Sequence, residues 1–330
     1  MKKKNYQYQH TLSRIKECVQ KENDFLITTH VNPDGDSIAS VLLFASILKH
    51  FGKRYIILLD DQIPEKFDFL SGVNEVVHFQ KETYSFQPRV VVVLDASGLD
   101  RIGKVEDIIP PKALIINIDH HTSNIMFGKF NAIAPEKSSA VEIIYELFML
   151  CNVPLSKEIA TFVYTGIMCD TGRFLFPNTT YQSLSICAEM VKHGASPSII
   201  ARNIYQRMSP ETLKALAKAL STLEFHFDGV VSSIYLPNDI LSSNGKIDTE
   251  GFVDYLMAVK ENEVQFFMLE KEPNHFRVSF RSKEYVDVNK IARQFNGGGH
   301  IRAAGCNIDG TVDEVKNRIL EVLKKHLPNK

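Results

Sequence analysis

Residues 24–50 read DFLITTHVNPDGDSIASVLLFASILKH: an apolar run, a turn built on proline and glycine, then a helix. The run DFLITT (24–29) does not alternate in polarity, as expected of a parallel strand covered on both faces. RYIILL (54–59), VVVVL (90–94) and ALIINI (113–118) repeat the pattern. Helical periodicity predicts helices over 37–50, 139–150, 156–169 and 181–192, with Gly52 and Gly194 as stops. Strands alternating with helices give an α/β domain with a doubly wound, mainly parallel sheet and right-handed connections.

The turn after the first strand gathers His30, Asp34 and Asp36 around Pro33 and Gly35. Asp95 closes VVVVLD, Asp119-His120-His121 closes LIINIDHH, and Asp170 lies in MCDTGRF. In an open parallel sheet, ligands gather beyond the carboxyl ends of the strands, so the fold itself would bring these groups together. Hard oxygen donors with imidazoles and no thiolate suit Mn²⁺ or Mg²⁺ and hydrolytic chemistry. Taken alone, Pro-Asp-Gly-Asp reads equally well as a surface turn. Four such clusters, each at an element terminus, do not. Asp60-Asp61 also follows a strand, but reads as a solvated turn.

At 330 residues the chain calls for two domains. We expect a first domain over 1–195, a helical connector over 196–222, and a smaller α/β domain over 223–330. In the last, hairpins turn at Asp228-Gly229 and Pro273-Asn274, a helix spans 287–295, the loop NGGGHIRAAG follows, and a helix over 312–327 closes the chain. A hydrophobic share of 44% and a charged share of 23% are ordinary for a soluble globular protein. Five dispersed cysteines without a CxxC pair argue for a reducing cytoplasm. The basic N-terminus precedes no apolar h-region, and no apolar run approaches the ~20 residues needed to span a bilayer. A net charge of −1 argues against a long nucleic-acid groove and leaves room for a small anionic ligand.

The order HxxPDGDS, Asp95, DHH and a late Asp170, followed by GGGH at Gly297–His300, resembles the DHH phosphoesterase superfamily with its associated C-terminal domain. The resemblance covers nearly the whole chain. The length and two-domain layout look most like its oligoribonuclease and pAp phosphatase members, which places the active site in an interdomain cleft. It implies that His30 and Asp34 hold one metal, that Asp36, His120 and Asp170 hold a second, and that Asp95 bridges both. Four ligand carboxylates would then balance two divalent ions, Mn²⁺ with Mg²⁺ or Co²⁺ as alternatives. Ions about 3.5–4 Å apart share a hydroxide that attacks phosphorus in line. The same likeness makes His121 a group that contacts the phosphate or protonates the leaving oxygen. Asp119 is read either as orienting an imidazole or as a strand-end carboxylate bonding backbone amides.

On the substrate side, Gly298 and Gly299 would turn amides toward an anion and carry His300 to the phosphate. Arg281 is a candidate bidentate phosphate contact, with Arg302 and Arg101 as further candidates. Phe174 is placed to stack a base, although core packing explains a phenylalanine equally well. The implied substrates are RNAs of two to a few nucleotides and 3′-phosphoadenosine 5′-phosphate (pAp). A cyclic di-AMP or linear dinucleotide phosphodiesterase is the runner-up. A silent nucleotide sensor would be expected to lack a ligand, and none is missing here. We expect no membrane and no long duplex partner, and leave a homodimer open.

Overall fold

The computed structural model describes residues 2–80, 86–241, 247–299 and 301–327, in two units, Met1–Arg207 and Met208–Lys330. The division falls inside the helical stretch read as a connector. The first unit runs α1 (Lys2–Lys21), β1 (Phe25–Thr29), α2 (Gly35–His50), β2 (Tyr55–Leu59), β3 (Val76–His78), β4 (Val90–Leu94), β5 (Leu114–Asp119) and β6 (Phe130–Ile133). Helices α3 (Ala140–Leu150), α4 (Lys157–Asp170), α5 (Tyr181–Lys192) and α6 (Pro197–Tyr205) complete it.

The described strands pair in parallel in the order β3-β2-β1-β4-β5-β6. The chain builds outward from β1 to β3, then returns to the other side of β1 and builds outward again. Strand order therefore reverses between β1 and β4, which is where a parallel sheet opens a crevice at its carboxyl end. Phe25, Ile27, Val90, Val92, Ile116 and Ile118 face the α-helices, while Leu26, Leu58, Val91 and Val93 pack with Ile102 and Val105 on the opposite face. Both faces are covered, as the unbroken apolar runs require. On the second face the cover is the 3₁₀ segment Leu99–Ile108 rather than an α-helix.

Sequence periodicity did not predict α1, β3 or β6. Among the described residues of the basic α1, only Leu12, Ile15, Cys18 and Val19 are buried, a narrow stripe in a polar helix. Strands β3 and β6 are short edges of three and four residues.

Helix α2 begins on a capping box. Asp34 accepts from the Asp36 and Ser37 amides, and Ser37 returns a bond to the Asp34 amide. Gly35 opens the helix because α4 comes too close for any side chain. A Cβ there would lie 2.3 Å from Cys169 Sγ and 2.8 Å from Cys169 Cβ. Gly35→Ala is therefore expected to cost about 1–3 kcal/mol and lower the urea midpoint. An unchanged midpoint would mean that α4 can retreat without loss.

The second unit contains α7 (Pro210–Leu220), β7 (Glu224–His226), β8 (Val231–Leu236), α8 (Asn238–Leu241), β9 (Val264–Glu272), β10 (His275–Ser282), α9 (Val288–Arg293), β11 (Gly298–Gly299), β12 (Ala303–Asp309) and α10 (Val312–Lys324). Its described strands follow the order β11-β12-β10-β9-β8-β7, antiparallel except for β8 against β9. Phe227 and Asp228 take positive φ in the β7–β8 hairpin, and Asn274 does so in the β9–β10 turn. The stretch read as the loop NGGGHIRAAG is in large part sheet: Gly298–Gly299 pairs with β12. A Cβ on Gly297 or Gly299 would run into the β12 backbone, at 2.2 Å from Gly305 O and 2.5 Å from Ala303 O respectively. Close strand approach thus accounts for two of the three glycines; Gly298 has open space. Among the described residues, no helix is long and apolar enough to cross a membrane.

Candidate metal centre

Five strand or helix termini deliver the site. His30 follows β1, Asp95 follows β4, Asp119 ends β5 with His120 and His121 behind it, and Asp170 ends α4. Asp34 and Asp36 sit at the start of α2. The side chains form three overlapping triads whose donor atoms lie within 4.8 Å of one another: His30–Asp34–Asp95, Asp36–His120–Asp170, and Asp95–His120–His121.

The separations are informative. His30 Nε2 is 3.5 Å from Asp95 Oδ2 and 3.9 Å from Asp34 Oδ1. His120 Nε2 is 3.4 Å from Asp170 Oδ2 and 3.6 Å from Asp95 Oδ1. These distances are too long for good hydrogen bonds, yet short enough for the donors to face a common cation. The other ring nitrogens are spoken for: His30 Nδ1 lies 2.8 Å from Val31 O, and His120 Nδ1 lies 3.4 Å from Lys137 O. Such contacts fix the tautomer that leaves Nε2 as the donor atom.

Asp95 is the most constrained residue. It is buried, holds a left-handed φ of 54°, and its Oδ1 has no hydrogen-bond partner. A buried carboxylate oxygen without a donor, on a strained backbone, calls for an ion. The electrostatics agree. Burial first, then neighbouring carboxylates, push Asp36, Asp95 and Asp170 upward from the usual range. Burial also pushes the His120 imidazole down, against the pull of Asp36, and so favours the neutral form that ligates metals. Oxygen-rich donors, neutral imidazole and the orphaned Asp95 oxygen fit divalent cations.

Asp119 bonds both backbone amides and an imidazole. Its Oδ1 accepts from the His120 amide at 2.7 Å, the His121 amide at 3.2 Å and His121 Nδ1 at 2.6 Å. Burial would raise its pKa, but the hydrogen bond and charge of His121 and the bond from Asn124 hold it well below the carboxylate range. In return, His121 is pushed upward despite its burial.

The arginines divide. Arg101 is exposed on the 3₁₀ segment, and its carbonyl accepts from the Val31 amide at 2.8 Å, next to His30. Arg281 lies 2.8 Å from Asp254 and also donates to Phe280 O. Arg302 donates to Val286 O and Glu284 O. Both second-unit guanidiniums thus serve their own fold in this structure. Gly298 and Gly299 belong to strand β11, and His300 lies outside the described residues. Phe174 packs edge-on against Tyr164 and joins the core.

Several supporting residues escaped the sequence reading. Asn124 donates to Asp119 Oδ2 at 2.6 Å and to Asn117 Oδ1 at 2.8 Å, propping the Asp119–His121 pair from below. Asp61, read as a solvated turn, accepts from the Asn32 amide at 2.7 Å and holds the His30 loop. Both oxygens of Asp36 accept from the α3 N-terminus, at 2.7 Å from the Ala140 amide and 3.0 Å from the Val141 amide. The only signal for Asn124 was its place three residues after the DHH triplet.

The profile of the DHH family, N-terminal domain, matches residues 24–167, and that of the DHHA1 domain matches residues 243–328. A bifunctional oligoribonuclease and PAP phosphatase NrnA from Thermus thermophilus is 33% identical over 93% of this chain and 91% of its own length. The NrnA of Bacillus subtilis is 30% identical over 86% of this chain and 88% of its own length. An exopolyphosphatase-related protein from Bacteroides fragilis superposes with a TM-score of 0.88 at 26% identity, covering 96% of each chain.

Proposed function

This chain belongs to the DHH family, and from that premise we propose that it is a divalent-metal phosphoesterase that cleaves short oligoribonucleotides to nucleoside monophosphates and converts pAp to AMP. The observation that carries the reading is the set of converging triads around Asp95, with a buried carboxylate oxygen lacking any donor. Relatives named as oligoribonuclease and PAP phosphatase match over nearly the full length of both chains, which supports the substrate class.

In this reading His30 and Asp34 hold one ion, Asp36, His120 and Asp170 hold another, and Asp95 serves both. Mn²⁺ is the proposed metal, with Mg²⁺ and Co²⁺ as alternatives, since no thiolate enters the donor set. When bound, the cations supply electrostatic stabilisation of phosphoryl oxygens and a water acidic enough to attack near neutral pH. The chain's own contribution is proton management. Asp119 keeps a proton on His121 Nδ1 and raises the basicity of the ring, so that Nε2 of the imidazolium can hand its proton to the leaving oxygen as the P–O bond breaks. Arg101, exposed beside the His30 loop, is proposed to meet a substrate phosphate, and Gly298, Gly299 and His300 are proposed as further substrate-binding residues. Arg281 and Arg302 would have to leave their present partners to do the same. Free thiols at all five cysteines support a reducing, cytoplasmic setting.

The test is product analysis with Mn²⁺ on pApA, pAp and cyclic di-AMP side by side. Rapid AMP release from pApA and pAp, with cyclic di-AMP untouched, is expected. Preferential opening of cyclic di-AMP would replace the proposed substrate class, and inertness toward all three would overturn the enzyme reading.

A further inference from the structure

Two separate stretches of chain supply the Asp36–His120–Asp170 triad with its bearings. The first is residues 137–141. Lys137 O meets His120 Nδ1, and the Ala140 and Val141 amides hold both oxygens of Asp36. Ser139 caps α3 by accepting from the Glu142 amide. Glu142, itself buried, accepts from the Ser138 amide at 3.0 Å and from the Ser138 hydroxyl at 2.7 Å. The second stretch is the end of α4, which carries Asp170.

One side chain joins the two. Asn178 Nδ2 donates to Ser138 O at 2.9 Å and to Asp170 O at 3.0 Å, and lies 3.4 Å from Asp170 Oδ2. Its own position is fixed from behind, because Thr180, two residues on, opens α5 with a capping box to Ser183. An amide is well suited to this place: its two N–H groups reach two carbonyls at once, and it adds no charge to a crowded carboxylate cluster.

We propose that Asn178 is a positioning residue for the Asp36–His120–Asp170 ligand group, stapling the segment that orients Asp36 and His120 to the helix end that carries Asp170. It sets the spacing of this one triad and leaves His30–Asp34–Asp95 untouched. The proposal rests on the two-ion reading of the site.

The experiment is a Mn²⁺ titration of metal-free protein, followed by calorimetry and by the electron spin resonance of free Mn²⁺, for wild type, Asn178→Ala and Asn178→Asp. Loss of a residue that orients ligands weakens metal binding by about 10–100-fold. Wild type is expected to take up two ions. Both variants should lose at least about tenfold in affinity for one ion and keep the affinity for the other. Turnover of pApA at limiting Mn²⁺ should fall in kcat with KM unchanged, and recover at high Mn²⁺. Asn178→Asp is nearly isosteric and trades the donor for an acceptor facing Asp170, so it decides the matter if the alanine variant fails to fold. Two ions bound with wild-type affinity in either folded variant would overturn the positioning role alone. Equal weakening of both ions would overturn the assignment to a single triad. A wild type that binds fewer than two ions would bring down the two-ion reading, and this proposal with it.

Discussion

Asp95→Ala is expected to lower Mn²⁺-dependent turnover of pApA by at least about a hundredfold, equivalent to about 2.7 kcal/mol of transition-state stabilisation. Asp95 is the residue shared by the triad on the His30 side and a triad on the His120 side. Removing its carboxylate therefore disturbs both ends of the site at once, whereas loss of His30 or Asp170 disturbs one. The fold should tolerate the change. The Asp95 amide still donates to Ile118 O at 2.9 Å, and the side chain satisfies no buried donor through Oδ1. The left-handed φ of 54° will cost alanine on the order of 1 kcal/mol. Asp95→Asn keeps shape and backbone preference while removing the charge, and so separates strain from ligation. Calorimetric metal counts alongside kcat make the check. A folded Asp95→Ala protein that keeps more than about a tenth of wild-type turnover would sink the bridging role.

Without metal, this protein should lose thermal stability as pH rises toward neutrality. Burial, followed by repulsion from Asp170 on Asp36 and from Asp34 on Asp170, pushes both carboxyls up to about 7 from an ordinary 3.8. Between those values the folded state keeps protons that the unfolded chain has released, so stability is lost as pH climbs through the window. The loss is large enough to lower Tm by several degrees. Asp119 behaves in the opposite sense. Its folded pKa is depressed, so its contribution is complete above 3.8 and disappears only in acid. Mn²⁺ binds the deprotonated carboxylates, so saturating metal should abolish the decline and add about 2.7 kcal/mol at a hundredfold excess over Kd. Thermal scans of chelator-treated protein between about pH 5 and 7.5, with and without Mn²⁺, test this. A metal-free Tm that rises over that range, or a larger Mn²⁺ effect at the acidic end, would contradict it.

The N-terminal sheet was legible because parallel strands must be apolar on both faces, and four of them announce themselves as unbroken runs. Their ends are legible for the same reason, so the sequence alone directs His30, Asp95 and Asp119 to one edge of the sheet. What escaped was whatever depends on partners distant in sequence. Strands β3 and β6 are too short to impose a period. The pairing of Gly298–Gly299 was hidden because glycine reads as a loop, while here close contact with β12 requires it at Gly297 and Gly299. Arg281 and Arg302 read as free cations because nothing local reveals Asp254 or the carbonyls of Val286 and Glu284. Asn178 and Lys137 act on or through backbone carbonyls, a property that no residue type advertises.

The reversal of strand order between β1 and β4 also fixes when the centre can exist during synthesis. His30, Asp95, His120 and Asp170 are spread over most of the first unit, and all the candidate ligands lie within it. A growing chain on the ribosome cannot complete all three triads until Asp170 has emerged, by which point every described strand of this sheet is already made. The Asp36–His120–Asp170 group is therefore complete only after the whole sheet has been made, whereas His30, Asp34 and Asp95 are all present much earlier.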